Sequence, residues 1–211
     1  MNLLIPYVHL YNHPDPLFNE FTYGDKGRGA KKLKNNLEEG DYVFFHTSIN
    51  GKKFITAYYV MNRVLDTAEV VADKNIVAKY KNPHILEFIS GERTGEDGDV
   101  ILFGDPITSK ILERPLLFDK NLAEKLSLNI KFPEKKTETQ IIGSATRSWR
   151  TLSDKDVEAM LNAIKLSEGK EISIKTMLST DEVTELIEKD IETLVQENSS
   201  LIGESLTLKG R

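Results

Sequence analysis

Short apolar runs separated by turn residues dominate the first 118 positions of this chain. They predict β-strands over residues 3–10, 42–48, 54–65, 100–103 and 111–118. Asn50-Gly51 is a strong signal for a two-residue hairpin, and Pro6 predicts that the first strand is an edge strand or carries a bulge. Residues 42–45 are all apolar, so we expect this strand to be buried on both faces. Several short strands with few long helices predict a barrel-like β domain.

Helical spacing appears in short segments and then again after residue 150. Residues 30–37 predict one short helix, and Asp119 caps another. Ser153 is a good N-cap with Asp156 near the capping-box position, and apolar residues follow at helical spacing: Val157, Met160, Leu161 and Ile164. Thr180 begins a second helix of this kind. We therefore predict a domain over residues 1–150 and a helical extension over residues 151–211.

The composition excludes several classes of protein. With 211 residues, 39% of them hydrophobic, the chain has room for a packed core and an appendage. No apolar run reaches the roughly 18 residues of a membrane span. There is no cysteine, which removes disulfides, thiol catalysis and cysteine-ligated zinc. The four histidines show no metal-binding spacing, so we expect no metal site. The first ten residues lack a basic region and a cleavage site, and we expect a cytoplasmic protein.

The net charge of −5 is unevenly distributed. Residues 151–211 hold seven Lys or Arg and thirteen Asp or Glu, which leaves residues 1–150 with a net charge of +1. Because the local field matters more than the total charge, overall acidity does not argue against nucleic-acid binding by the first part. It does argue that the acidic second part is not the contact surface.

A basic, glycine-rich segment precedes the first predicted helix. Gly24, Gly27 and Gly29 allow close approach of the backbone, and a helix N-terminus after them attracts anions. Five cations crowd into the same segment: Lys26, Arg28, Lys31, Lys32 and Lys34. The combination predicts a phosphate-binding surface, although a solvated helix face explains most lysine clusters.

The run from residue 21 to residue 60 resembles the signature segment of EVE domains, relatives of the YTH, ASCH and PUA folds. The matching residues are Tyr23, Gly27-Arg28, Lys32-Leu33, Asn35-Asn36, Gly40-Asp41, Val43-Phe44-Phe45 and His46-Thr47-Ser48. The chain departs from the family pattern in having Phe21-Thr22-Tyr23 where a Trp is expected, and Thr47 between the His and the Ser. The resemblance implies an α+β fold, a PUA-like (EVE-type) mixed β-barrel with flanking short helices and a helical C-terminal extension. It also implies that a nucleobase is flipped into a pocket at one end of the barrel.

The residues at the end of the second predicted strand are candidates for reading that base. His46, Thr47 and Ser48 offer hydrogen bonds to a base edge, although a satisfied polar strand end explains them equally. A flipped base also needs an aromatic or apolar wall. The walls available are Tyr23, Phe45, Tyr58, Tyr59 and Trp149. We predict a base pocket of Tyr23, Phe45, His46, Thr47, Ser48 and Trp149.

Residues 143–153, GSATRSWRTLS, form a second suggestive run. They combine small residues and hydroxyls with Arg147, Arg150 and the only Trp, which suits stacking and backbone contact. An ordinary loop leading to the helix capped by Ser153 is an equal alternative. The predicted phosphate-binding residues are Lys26, Arg28, Lys31, Lys32, Arg147 and Arg150.

The last thirty residues resemble the segment that opens the NucS-type, RecB-like nuclease domain. The matching residues are Glu188, Asp190, Ile191, Leu194, Glu197, Asn198, Leu201, Ile202, Leu206, Leu208, Gly210 and Arg211. The resemblance implies a fragment of a longer, Mg²⁺-dependent endonuclease. Within the chain itself we expect no catalytic site and no cofactor, since only Glu134-Lys135-Lys136 has a nuclease-like spacing, and it lies in a polar loop.

These observations lead to one predicted function and two alternatives. The barrel is expected to bind DNA, to read a modified base by flipping it, and so to direct a modification-dependent, restriction-type endonuclease. An RNA-binding PUA-like module is the first alternative. A protein-interaction or oligomerisation domain is the second, and the helices after residue 150 offer a surface for a homodimer. No membrane partner is expected.

Overall fold

The computed structural model describes residues 1–8, 13–92 and 99–169. Its strands are β1 (Asn2–Pro6), β2 (Thr22–Asp25), β3 (Tyr42–Ile49), β4 (Lys52–Asp66), β5 (Val100–Gly104), β6 (Lys110–Leu117) and β7 (Arg150–Leu152). Its helices are α1 (Gly27–Asn36), α2 (Thr67–Ala72), α3 (Lys74–Lys79), α4 (Pro83–Ser90), α5 (Lys120–Lys125), α6 (Glu138–Ala145) and α7 (Asp154–Glu168). A single 3-10 turn, Phe18–Glu20, precedes β2.

All seven strands belong to one mixed sheet in the order β2-β5-β4-β3-β1-β7, and β6 also pairs with β4. β1 is parallel to β3, and every other pair is antiparallel. The 15-residue β4 has β3 on one side; on its other side β6 covers the first half and β5 the second. The prediction of an α+β fold with a mixed sheet and flanking short helices is confirmed.

The sheet curves around a central hydrophobic cluster. Leu3, Val43, Phe45 and Tyr59 from the middle strands are fully buried there. Tyr23 of β2 and Trp149, just before β7, pack against the same cluster although they lie near opposite ends of the strand order. The inward faces of both ends therefore meet, as in a barrel.

The outer face of the sheet is covered by helices. Leu4, Phe44 and Ile55 point to this side and pack with residues of α5, α6 and α7. Phe44 and Phe45 are both fully buried, one on each face of β3. The expectation that this strand is buried on both faces is thus confirmed.

The caps of the last helix in the described region also match the sequence. The Ser153 hydroxyl accepts a hydrogen bond from the Asp156 amide, and the Asp156 carboxylate accepts one from the Ser153 amide. Val157, Met160 and Ile164 are buried against the outer face of the sheet. The helix predicted after Thr180 and the nuclease-like segment lie outside the described residues.

The first strand differs from its prediction. β1 is not an edge strand, because β3 pairs with it on one side and β7 on the other. Pro6 is tolerated because β7 reaches only as far as Leu4, so no ladder donor is required of Pro6 on that side. No helix in the described part of the chain is long and apolar enough to cross a membrane.

Candidate nucleic-acid interface

The β3–β4 hairpin is irregular at the point where the candidate base-reading residues begin. Phe45 pairs with Ala57 and His46 pairs with Ile55, so Thr56 is an extra residue on β4. Bulges of this kind redirect neighbouring side chains and are common beside functional sites. The Thr56 hydroxyl is held by the phenol of Tyr7 at 2.9 Å. The bulge fixes the backbone from which His46 extends.

A cavity of about 370 Å³ lies beyond this bulge. It is bounded by the residues after β1, the β3–β4 hairpin and the C-terminal end of α6. Its lining residues are Pro6, Tyr7, Val8, His46, Thr47, Ser48, Lys53, Gly143, Thr146 and Arg147. The volume falls in the range of small-molecule pockets, roughly 300–1,000 Å³.

His46 is the buried polar group of this cavity. Its side chain is fully buried, it contacts Phe118 edge-on at 5.8 Å, and neither ring nitrogen has a hydrogen-bond partner among the described residues. Burial, and then the charge of Lys53, lowers its pKa from 6.5 to about 4, and these effects outweigh the nearby Thr146 backbone, which raises the pKa but lies outside hydrogen-bond geometry. The ring is therefore neutral at pH 7 and offers one donor and one acceptor. An unsatisfied buried group of this kind costs about 1–3 kcal/mol and calls for an explanation.

Lys53 supplies a half-buried cation to the same cavity. It pairs with Ser48 across the hairpin, and burial lowers its pKa. A Cβ atom on Gly143 of α6 would come 3.2 Å from its Cε, so the absence of a side chain there makes room for the lysine. Arg147 is exposed at the rim. Two cations, Lys53 and Arg147, thus border a cavity whose buried imidazole, that of His46, is neutral.

The hydroxyls of Thr47 and Ser48 differ in the hydrogen bonds that they can still make. Thr47 donates its Oγ1 hydrogen to the Tyr7 carbonyl at 2.9 Å, so it presents lone pairs only. Ser48 is exposed, and its hydroxyl makes no hydrogen bond among the described residues. Together with His46 they give the cavity both donors and acceptors, which is what the edge of a nucleobase requires.

The predicted aromatic walls lie elsewhere. Phe45 is fully buried in the central cluster, where it contacts Tyr23 edge-on at 5.6 Å, and Trp149 packs against that cluster. Burial, followed by the charges of Asp25 and Asp15, raises the pKa of Tyr23 well above its usual value. None of these three aromatic residues lines the cavity. The structure brings together His46, Thr47, Ser48 and Arg147 from the predicted set, and separates them from Tyr23, Phe45 and Trp149.

Arg150 is also directed away from the cavity. Its Nη2 donates to the Leu128 carbonyl at 2.8 Å, and it borders a different pocket beside Asn129 and Lys136. Arg147 and Arg150 are close in sequence, but β7 begins at Arg150 and carries it to another surface.

The cations of α1 form a separate exposed surface. Lys26, Arg28, Lys31 and Lys32 are exposed and make no ion pair among the described residues. Lys34 differs from them because it pairs with Asp66 and Glu69. Four of the five cations are therefore available to an external anion.

Internal contacts and backbone conformation explain the glycines just before and at the start of α1. A Cβ on Gly24 would clash with His84, Gly27 has a φ of +64°, and a Cβ on Gly29 would lie 2.9–3.1 Å from the Asp25 carboxylate. Asp25 accepts a hydrogen bond from the Lys26 amide at 2.6 Å. The Asp25 carboxylate thus lies beside Gly29 at the start of α1, although no side chain caps the helix amides.

Sequence reasoning missed Tyr7 and Lys53 as cavity residues. For Lys53 a signal was present, since a two-residue turn at Asn50-Gly51 places residue 53 opposite Ser48. For Tyr7 no local signal existed, because its position depends on the parallel pairing of β1 with β3. Residues distant in sequence meet there.

No family model matches the chain, and no curated protein matches it. Among solved structures, ASCH from Zymomonas mobilis is similar at 10% identity and a TM-score of 0.42, covering 76% of this chain and 94% of that one. A point mutant of the same protein gives 9% identity and a TM-score of 0.43, covering 76% and 96%. A hypothetical protein from Leishmania major gives 14% and 0.41, covering 79% and 96%.

Proposed function

We propose that the barrel is a nucleic-acid-binding module that holds a single unstacked base in the cavity beside His46. The observation that carries the proposal is the buried, unpartnered imidazole of His46 at the wall of a 370 Å³ cavity. A neutral imidazole offers one donor and one acceptor. Its nitrogens are closed to water in this structure, so the ring turns towards the cavity for the edge of a base to satisfy both. The ligand removes the cost of leaving these atoms unpaired.

The charges around the cavity support a nucleotide rather than a neutral metabolite. Lys53 and Arg147 lie at the cavity and meet the phosphates on either side of an extruded base. The exposed cations of α1, Lys26, Arg28, Lys31 and Lys32, extend the contact to the backbone at other positions. Phosphate contacts position a nucleic acid, and base contacts specify it.

The proposal includes a modified base as the preferred ligand, as the function predicted from the sequence has it. An extra substituent on a base fills space, and the cavity is large enough to admit one. We further propose that the barrel directs an endonuclease; the nuclease-like residues 183–211 lie outside the described region. Matched duplexes that differ in one base distinguish recognition of a modified base from simple electrostatic binding.

The first experiment is fluorescence-anisotropy titration of the protein with matched oligonucleotides. The duplexes carry one cytosine, 5-methylcytosine, 5-hydroxymethylcytosine, adenine or N6-methyladenine, and each has an RNA counterpart. A preference of tenfold or more for one base supports a base-reading pocket. Equal, salt-sensitive binding to all of them reduces the barrel to an electrostatic tether. An RNA preference selects the RNA-binding alternative, and no binding at all leaves the protein-interaction alternative.

A second experiment reports on base extrusion. A 2-aminopurine placed at the preferred position brightens when it leaves the stack, so its fluorescence should rise on binding. Lys53→Gln should weaken binding about tenfold, because a half-buried charged hydrogen-bond donor is lost. Lys52→Gln is the matched control, since Lys52 is its exposed neighbour and does not line the cavity. Equal losses in the two variants would assign the effect to net charge alone.

A further inference from the structure

The residues before β2 and the start of α4 bring two imidazoles and a carboxylate together. His13, Asp15 and His84 each present a ligand atom, and the three atoms lie within 4.8 Å of one another. Nε2 of His84 is 3.6 Å from Oδ2 of Asp15. Neighbouring ligand atoms of a tetrahedral site with bonds of about 2.0–2.1 Å are about 3.3 Å apart. The spacing of Asp15 and His84 is therefore close to that of two ligands of one ion, and a small movement of the His13 ring completes the set.

The second nitrogen of each imidazole faces a carboxylate. Nδ1 of His13 lies 2.9 Å from Oε1 of Glu87, so Nε2 is the nitrogen that remains for a metal. Nδ1 of His84 lies 3.8 Å from Oδ2 of Asp99. Histidines that bind metals almost always have their other ring nitrogen held by a carboxylate, a carbonyl or water, which sets the tautomer and the ring orientation.

The carboxylate ligand is held in place as well. Asp15 accepts hydrogen bonds from the Gly24 amide at 3.1 Å and from Nδ2 of Asn82 at 2.8 Å. Asn82 also caps α4 by accepting a hydrogen bond from the His84 amide. One side chain thus positions both Asp15 and His84, and the donor set is oriented before any ion arrives.

The candidate ligands are largely shielded from water. The side chains of Asp15 and His84 are 7% and 6% exposed, that of Asp99 beside His84 is 4% exposed, and that of His13 is 25% exposed.

We propose that His13, Asp15 and His84 bind a first-row divalent transition-metal ion. Two imidazoles and one carboxylate form a mixed N/O donor set that suits zinc or its neighbours rather than Mg²⁺ or Ca²⁺, which prefer oxygen ligands alone. Three protein ligands leave a coordination position for water or a ligand. The ion links the segment before β2 to α4, and this proposal does not depend on nucleic-acid binding.

The test uses the full chain, stripped with EDTA and titrated with ZnCl₂. Long-range ¹H–¹⁵N spectra of the histidine rings should show saturable shifts at His13 and His84 at one equivalent, with His46 unmoved. Absence of shifts at both His13 and His84 would overturn the proposal. The wild-type spectrum gives this answer even if a variant does not fold.

Calorimetry of variants supplies the second part. His13→Gln and Asp15→Asn should each weaken zinc binding at least tenfold, while His46→Gln, at the other buried histidine of the described region, should leave it unchanged. Folding of each variant is checked by circular dichroism. Unchanged affinity in both ligand variants would place the zinc elsewhere and refute the assignment.

Discussion

The backbone of Gly24 lies directly against the imidazole of His84. A Cβ atom on Gly24 would come 2.4 Å from both Cγ and Cδ2 of the ring, closer than any real contact. His84 is itself buried. The ring cannot withdraw without disturbing its contacts with Asp15 and Asp99.

Replacing this glycine should therefore destabilise the protein. We expect Gly24→Ala to lower the free energy of unfolding by about 2–3 kcal/mol, as forced overpacking of a buried site does. Urea denaturation measures the change. Gly143→Ala is the matched control, because the added Cβ meets only the flexible end of Lys53 and alanine favours the helix. Similar losses in the two variants would contradict the close-packing explanation.

The unpartnered imidazole of His46 predicts a conflict between stability and binding. His46→Leu replaces an unsatisfied buried group with an apolar one, so the free energy of unfolding at pH 7 should be unchanged or higher. Binding to oligonucleotides should be lost. His84→Leu is the control, since the buried His84 ring lies between the carboxylates of Asp15 and Asp99, and it should destabilise the protein. A His46→Leu protein that is destabilised as much as His84→Leu would argue that His46 is an ordinary structural residue.

The same residue predicts a dependence of stability on pH. Because burial lowers the pKa of His46 from 6.5 to about 4, the unfolded chain binds the proton more readily between these values. The contribution of His46 to the free energy of unfolding is fully present above pH 6.5. It falls by on the order of 3 kcal/mol as the pH drops towards 4. His46→Leu should remove that part of the loss. If the urea midpoints of wild type and His46→Leu changed by the same amount between pH 7 and pH 4, this prediction would be contradicted.

The cations of α1 should differ in their contribution to nucleic-acid binding. Lys31 makes no ion pair among the described residues, whereas Lys34 is paired with Asp66 and Glu69. Lys31→Gln should weaken binding and reduce the slope of log K against log salt by about one unit on duplex DNA. Lys34→Gln should change both the affinity and the salt slope less than Lys31→Gln does. Equal effects, measured by anisotropy at several salt concentrations, would show that the pairing of Lys34 is irrelevant.

The buried carboxylate of Asp156 should contribute strongly to stability. It accepts hydrogen bonds from the amide and hydroxyl of Ser127 and from those of Ser153. Burial alone raises its pKa, but these bonds outweigh burial and the pKa lies below its ordinary 3.8. Its contribution is present above pH 3.8 and is lost as the pH falls further. Asp156→Asn should cost about 2 kcal/mol at pH 7.

The exposed Asp154 of the same first turn provides the comparison for Asp156. Asp154→Asn should cost less than about 1 kcal/mol, because an exposed carboxylate there interacts mainly with the helix dipole and with Asn2. Thermal or urea unfolding at pH 7 gives both values. A larger loss in Asp154→Asn than in Asp156→Asn would contradict the role assigned to the buried carboxylate.

Much of the fold was predictable because its signals are local. The Asn50-Gly51 turn, the strands around it, and the caps at Asp119 and Ser153 all depend on residues within a few positions of one another. β2 and β7 were missed because they are only four and three residues long. Such short segments become strands only through their partners β5 and β1. The short helices between β4 and β5 were missed for a similar reason.

The candidate site was predictable in part. His46, Thr47 and Ser48 end one strand, so their proximity is local, and the structure places all three at one cavity. The resemblance adds Tyr23 to them and the need for an aromatic wall adds Trp149, yet both pack against the central cluster. The curvature of the sheet decides which face an aromatic residue reaches, and no short segment encodes that curvature.

The sequence by itself determined the strand-rich α+β character, the hairpin, the helix caps and the basic character of α1, because each follows from propensity and spacing over a few residues. Only the tertiary structure decided that Tyr7, His46, Lys53 and Arg147 share one cavity, and that His13 and Asp15 meet His84 some seventy positions away. These groups come together through parallel and long-range pairing. Such contacts depend on the free energy of the whole fold rather than on any local pattern.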